Sequence, residues 1–258
     1  MSAILKETIG AVVVLKLNRP DKFNSFNREM ALQLQKCLDD AAADKEVRAI
    51  YITGVGKAFC AGQDLAEATD PNGPGIEQIV TAHYNPIIQR IREIEKPVIC
   101  GVNGVAAGAG ANIALACDII IGSDTATFIQ AFSKIGLIPD SGGTFFLPRL
   151  IGYHRAAALM MTGDKVSAQD ALAYGMLYKV YDVADLYEKG IELATQIAAM
   201  PTSVLGMTKQ LLNQSYFNAY DKQLEAEAKA QVKAASTNDY KEGVSAFLEK
   251  RKATFKGN

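Results

Sequence analysis

One carboxylate and two runs of small residues carry most of the chemical information in this chain. Asp140 lies in the turn-forming run Ile138-Pro139-Asp140-Ser141-Gly142-Gly143, just ahead of a helical stretch starting near Thr144. An Asp in that place can cap the helix, and spacing by itself favours that use. The two runs are Cys60-Ala61-Gly62-Gln63 and the AAGAGA of residues 106–111. Backbone without side chains lets something approach closely, either a neighbouring helix or a ligand. If the strands before the two runs are neighbours, both loops lie at the carboxyl edge of a sheet, where ligands bind. Two main-chain N–H groups there could hold one oxygen. Close helix–sheet packing accounts for the small residues equally well, and spacing leaves both readings open. A dinucleotide site fits poorly. Gly108-Ala-Gly110 precedes a helix and Asp124 lies beyond the next strand, but Ile113 takes the third glycine's place. The six residues between Gly110 and Cys117 are too few for a β-α-β unit of about thirty residues.

The elements that would position these groups follow from periodicity. Residues 11–17, 48–53, 97–102 and the CDIII run from Cys117 are short apolar runs that read as strands, and 176–181 reads as another. Asn27 is placed to cap a helix whose Met30, Leu34, Cys37, Leu38 and Ala41 share one face. Residues 54–63 read as a loop, and Asp64 opens a segment to Thr69. Ile76, Ile79, Val80, His83, Ile87 and Ile91 fit a helix that Pro86 must kink or restart. Asn112 to Ala116 continues as a short helix. Ser167 to Asp170 resembles a capping box that opens the helix before Gly175. Residues 183–199, and everything after Pro201, read as helical. Glu225 and Lys229 are spaced as an i,i+4 pair, and Val244, Phe247 and Leu248 form one stripe. Strand–helix alternation argues for an α/β fold with a largely parallel sheet. The expected division is a β/α core over 1–200 and a helical region over 201–258.

At 258 residues the chain can bury a large core, and 49% hydrophobic with 21% charged residues is the profile of a soluble globular protein. A net charge of −1 gives no electrostatic reason to expect nucleic acid or an acidic membrane. Cys37, Cys60, Cys100 and Cys117 have no C-x-x-C spacing, which points to reduced thiols in a cytosolic protein. With His83 and His154 the only histidines, no metal site is expected. The start of the chain lacks a signal-peptide layout and no apolar run reaches membrane-spanning length, so a cytoplasmic location is expected.

Several segments together resemble the crotonase (enoyl-CoA hydratase/isomerase) superfamily. They are Leu17-Asn18-Arg19-Pro20, Phe59 to Leu65 (FCAGQDL), Asn103 to Gly110 (NGVAAGAG), Cys117-Asp118-Ile119 and Ile135 to Asp140 (IGLIPD). Residues 163–175 and 243–251 also match, so the register holds over almost the whole chain. The resemblance implies a spiral of β-β-α units with a C-terminal helical region, assembled as a homotrimer or a dimer of trimers. It implies an acyl-CoA thioester as substrate, with no separate cofactor. It places the thioester oxygen between the N–H groups of Gln63 and Ala109, with Gly108 or Gly110 open as a sharer of the second role. Phe23, Ala61, Gln63, Asp64 and Leu65 match positions around CoA, and Lys250 matches one near a CoA phosphate.

The departures bear on the reaction. Family hydratases position water with two glutamates, and the matching positions here hold Asn112 and Phe132, which places both in the substrate pocket. Asn cannot act as a carboxylate base and Phe is inert, so hydration by that route is disfavoured. Asp140 matches the acid of the isomerases and the nucleophile of the aryl-CoA dehalogenases, which also use a Trp that this chain lacks. The run AFSKIGLIPDSGGT is most similar to isomerases of the family acting on ring-1,2-epoxyphenylacetyl-CoA. The implied activity is that isomerisation, a double-bond shift in enoyl-CoA esters, or both. A Δ3–Δ2 enoyl-CoA isomerase and a hydratase-like enzyme remain as alternatives, with a non-catalytic CoA-ester binder as the reading from another class.

Overall fold

The computed structural model describes residues 2–258. An antiparallel hairpin opens the chain, β1 (Ile4–Ile9) against β2 (Val12–Leu17). The sequence reading missed β1, because it buries only Ile4 and shows no apolar alternation. Asn27 caps α1 (Arg28–Ala43) by accepting the N–H of Met30. Then β3 (Ala49–Gly54) enters the same sheet, and β4 (Ala58–Cys60) forms inside the stretch expected to be loop. Asp64 caps the single turn α2 (Leu65–Ala68).

The next helix handles Pro86 by widening. After α3 (Ile76–Gln78), residues Ile79–Tyr84 form a π turn, and α4 (Asn85–Glu93) continues from it. A proline has no N–H to give the carbonyl four residues back and its ring crowds that carbonyl. The extra residue makes room, and the Asn85 N–H reaches Val80 O instead. Gln35 on α1 donates to the carbonyls of Ala82 (2.9 Å) and His83 (3.0 Å) in this turn.

From here the chain repeats one pattern. β5 (Val98–Val102), β6 (Val105–Ala107) and α5 (Ala109–Leu115) make one turn of a spiral; β7 (Ile119–Ser123) and β8 (Thr127–Ile129) begin the next. After a 3-10 turn over Ala131–Ile135 come α6 (Gly143–Ile151), α7 (Tyr153–Thr162) and β9 (Lys165–Ser167). Ser167 caps α8 (Ala168–Tyr174), followed by β10 (Lys179–Tyr181) and α9 (Leu186–Ala198). The first strand of each turn joins a six-stranded sheet ordered β1-β2-β3-β5-β7-β10. The second joins a four-stranded sheet ordered β4-β6-β8-β9. Within the spiral β3, β5 and β7 pair in parallel, as do β4, β6 and β8. Stacking identical turns therefore brings the loops after β4, β6 and β8 to one edge.

The helices α10 (Thr202–Gln214), α11 (Tyr220–Ala235) and α12 (Asn238–Leu248) complete the chain. Lys209 of α10 reaches Asp118 (2.7 Å), which also accepts the Val98 N–H, so the first of these helices is pinned to the sheet. Glu225 pairs with Lys222 (3.1 Å), not with Lys229, because the lysine one turn earlier is also within reach. The Val244, Phe247 and Leu248 stripe stays uncovered by this chain, with Phe247 82% exposed. Among the described residues no helix is long and apolar enough to cross a membrane.

The main core fills the space between the large sheet and α1, α4 and α5. A smaller cluster on the other face joins Val12, Val14, Ala49, Tyr51 and Ile99 to α9. There α9 lies directly on a tyrosine ring: a Cβ at Gly190 would sit 2.2 Å from Tyr51 Cζ. Gly190→Ala is expected to cost about 1–3 kcal/mol of stability, read as a lower denaturant midpoint at unchanged slope.

Candidate active site

The loop after β4 is fixed from both sides. Ala61 N–H donates to Phe23 O, Phe26 N–H to Gly62 O and Asp64 N–H to Phe26 O. Arg19 ties the same loop down through Asp64 (2.7 Å). Among the described residues the N–H of Gln63, between these anchors, has no acceptor. Its side chain is fully engaged: Tyr84 Oη donates to Oε1 (2.8 Å) and Nε2 donates to Glu67 (3.1 Å).

The second loop ends β6 and starts α5. Gly108 has φ +53° and ψ −128°, which a side chain would strain, and its N–H is taken by Ile129 O. Ala109 is the first residue of α5, so its N–H has no intrahelical partner. Gly110 then lies against β4: a Cβ there would be 2.5 Å from Cys60 O and 2.6 Å from Cys60 Sγ. The small residues serve the packing reading left open by the spacing. They let α5 pack onto β4, and that packing brings the Ala109 and Gln63 loops together. A Cβ on Gly62 would lie 3.7 Å from Ala109 N.

Both loops line one cavity of roughly 500 Å³. Its walls are mostly apolar, among them Ile79, Val80, Phe132, Ile135 and Leu137, with Tyr84 on one side. Asp140 is the one carboxylate among the lining residues. The expected helix cap is not what it does. α6 begins at Gly143 with Gly142 as its cap residue, and no side chain caps it. Asp140 sits two residues too early to reach the first free N–H groups. Its carboxylate instead accepts the Ser141 hydroxyl (2.8 Å). Ser141 holds φ +52°, a conformation that costs a non-glycine residue about 1–3 kcal/mol and that surrounding contacts must impose.

Burial raises the Asp140 carboxyl above its ordinary value near 3.8, and the Ser141 hydrogen bond works against that rise. Tyr84 is raised well above its ordinary value by burial, with Cys60 and Asp140 adding to it, so its hydroxyl stays a donor. Among the described residues no three His, Cys, Asp or Glu side chains converge as metal ligands.

Of the residues singled out from sequence, Ala61, Gln63, Leu65, Ala109, Phe132 and Asp140 line the cavity together. Asn112 does not: it is wholly buried, donating to Asp140 O (2.8 Å) and accepting from Gln130 (2.8 Å). Asp64 is engaged by Arg19 and the Ala66 N–H, Phe23 contributes its carbonyl to the loop, and Lys250 follows α12; none of the three lines the cavity. Sequence reasoning missed Tyr84 and Gln130. Tyr84 lies in the π turn before Pro86, and that break in the helix was the one signal that pointed towards it.

The enoyl-CoA hydratase/isomerase family model matches residues 7–258. The chain belongs to that family. The 1,2-epoxyphenylacetyl-CoA isomerase of Escherichia coli (strain K12) is 46% identical over 260 residues, spanning 100% of this chain and 99% of that one. The trans-2-decenoyl-[acyl-carrier-protein] isomerase of Streptococcus mutans is 37% identical, over 98% of each. The crystal structure of enoyl-CoA hydratase from Bacillus anthracis superposes with a TM-score of 0.93 at 34% identity, covering 99% of this chain and 100% of that chain. The two layers of β-β-α turns with a helical C-terminal region are therefore the fold of this family, as the resemblance implied.

The raised pKa of Asp140 has a signed consequence for stability. In the unfolded chain its pKa is ordinary, so between that value and the raised one the native state holds more protons. The contribution is present in full below about pH 4 and is lost as pH rises through the raised value. Asp140→Asn, which removes a charge that burial disfavours, is expected to melt at or above the wild-type temperature at neutral pH. That margin is expected to vanish in acid; calorimetry across pH checks it.

Proposed function

We propose that this protein is a CoA-thioester isomerase that converts ring-1,2-epoxyphenylacetyl-CoA to the oxepin-CoA ester. The observation that carries the reading is one half-buried carboxylate, Asp140, sharing an apolar cavity with two main-chain N–H groups that find no acceptor among the described residues. The 46% identity to the 1,2-epoxyphenylacetyl-CoA isomerase over the full chain supports the choice of acyl group.

The thioester oxygen accepts from the N–H groups of Gln63 and Ala109. These donors are fixed before substrate arrives, so the negative charge of an enolate meets dipoles that need no rearrangement. Losing one such donor costs about 10²–10³ in rate. With the oxygen held, the carbon next to the carbonyl becomes acidic enough for a carboxylate. A fused 1,2-epoxide is the valence tautomer of a seven-membered oxepin, reached by opening the shared ring carbon–carbon bond. Asp140 takes a proton from the α-carbon and returns it to a ring carbon of the oxepin. The ring double bond moves into conjugation with the thioester. Atoms are conserved and no water, metal or redox partner enters the balance.

The same proton shift on a straight chain is a Δ3-to-Δ2 enoyl-CoA isomerisation. The 37% identity to an isomerase of decenoyl thioesters favours this as a second activity of the same site. Phe132 supports isomerisation over hydration, because it puts an aromatic ring on the cavity wall where a water-positioning acid would have to be.

Asp140→Asn is expected to lower turnover by about 10²–10⁴-fold while CoA-ester binding persists. Stopped assays analysed by mass and ultraviolet absorption read this, and an Asp140→Asn enzyme with wild-type turnover would sink the assignment. Reaction in ¹⁸O-labelled water is expected to give product without label, whereas a hydratase would incorporate it. The activity is expected to rise with pH as Asp140 ionises and then level off, with the midpoint above that of an ordinary carboxylate.

A further inference from the structure

We propose that Asn112 and Gln130 are positioning residues that act through Asp140: a two-amide relay that holds the Asp140 turn and aims its carboxylate into the cavity. This inference rests on Asp140 being the base.

Asn112 is buried in the middle of α5 and uses both ends of its amide. Its Nδ2 donates to Asp140 O (2.8 Å) and its Oδ1 accepts from Gln130 Nε2 (2.8 Å). The acceptor at Asp140 fixes which end of Asn112 is nitrogen, and that in turn fixes Gln130. Asp140 O also accepts the N–H of Gly143 (2.8 Å), so this one carbonyl is held from two directions. The turn lies directly on the amide: a Cβ at Gly143 would come within 2.3 Å of Asn112 Nδ2.

What the relay connects gives it its meaning. Asn112 lies one helical turn after Ala109, whose N–H is free, and Asn112 N–H donates to Gly108 O. Gln130 directly precedes the 3-10 turn that carries Phe132. The donor, the carboxylate and the aromatic wall come from three separate segments, and these two amides join them. Gln130 meets this at a cost, since its own buried Oε1 finds no donor among the described residues. An apolar side chain would avoid that cost, so packing alone does not explain a glutamine there.

Asn112→Ser shortens the reach to the carbonyl, and Gln130→Met keeps the volume and removes the donor. Both are made in the full-length chain. Turnover of ring-1,2-epoxyphenylacetyl-CoA gives kcat, KM and their pH dependence. Titration of ¹³C-carboxyl aspartate, assigned against Asp140→Asn, follows the acid without substrate. The relay predicts kcat lower by about 10- to 100-fold, the scale of an ångström of misplacement, with KM unchanged. It also predicts an Asp140 titration, and an acid limb of the rate profile, displaced towards ordinary carboxylate values as the loosened side chain meets water. Ser141, beside Asp140, is unchanged in both variants. Tyr84 is the other titratable group lining the cavity with Asp140, and it stays protonated throughout. A merely structural role would lower the melting temperature and the active fraction, leaving kcat per folded site and the Asp140 titration where they were; that result overturns the relay. Loss of the base reading is distinguishable, because it appears as an active Asp140→Asn enzyme whatever the two amides do.

Discussion

The contact between Gly110 and Cys60 sets the geometry on which the site depends. A helix that starts right after a strand ordinarily stands off its neighbour by the width of a side chain. Here α5 comes to within one atom of the β4 backbone, with room for no methyl group. That approach places the first free N–H of α5 beside the free N–H of Gln63. Neither group can turn to another acceptor. One is fixed by the helix and the other by hydrogen bonds to Phe23 and Phe26 on either side of it. Two dipoles held this way stabilise a developing anion without the reorganisation that water would need.

The carboxylate is the other half of the design, and its environment is the opposite of the donors'. Asp140 is held by its own carbonyl and by a strained Ser141, and its acid group faces apolar walls. Burial makes the ionised form less favourable and so makes the acid a stronger base when it is ionised. A carboxylate of ordinary pKa would take a carbon-bound proton poorly. One pushed far up would be protonated at neutral pH and unable to start. The Ser141 hydroxyl works against the rise that burial causes, so the two contacts pull the acid in opposite directions.

Much of this was legible in the sequence, for identifiable reasons. The strands β2, β3, β5 and β7 are continuous apolar runs because both faces are covered, and such runs stand out. The helix from Asn27 announced itself by its cap and its face. The second sheet did not, because β4, β6, β8 and β9 are three residues each, too short to show a period. β1 is an edge strand with one buried residue. In the site, the small-residue runs pointed to two loops that line one cavity but could not say whether packing or ligand binding explained them. Bringing the two loops together needed the sheet order, which pairs β4 with β6. Gln130 gave no signal and Tyr84 only the break in its helix, since a tyrosine in a broken helix and a glutamine after a strand have ordinary uses. Only their partners distinguish them.

Asn112 shows how one position changes what such a site can do. An acid there would have to be solvated, paired or neutralised, and beside Asp140 it would push the pKa of that group further up. The amide adds no charge, so it can be buried completely and spent on hydrogen bonds to Asp140 O and Gln130. On the proposed reading, Asn112 therefore gives the site no second carboxylate to act on water. With Phe132 on the wall, water has no comfortable place either. On that reading, what remains is one acid and one held oxygen, enough to move a proton between two carbons and too little to add water across a double bond.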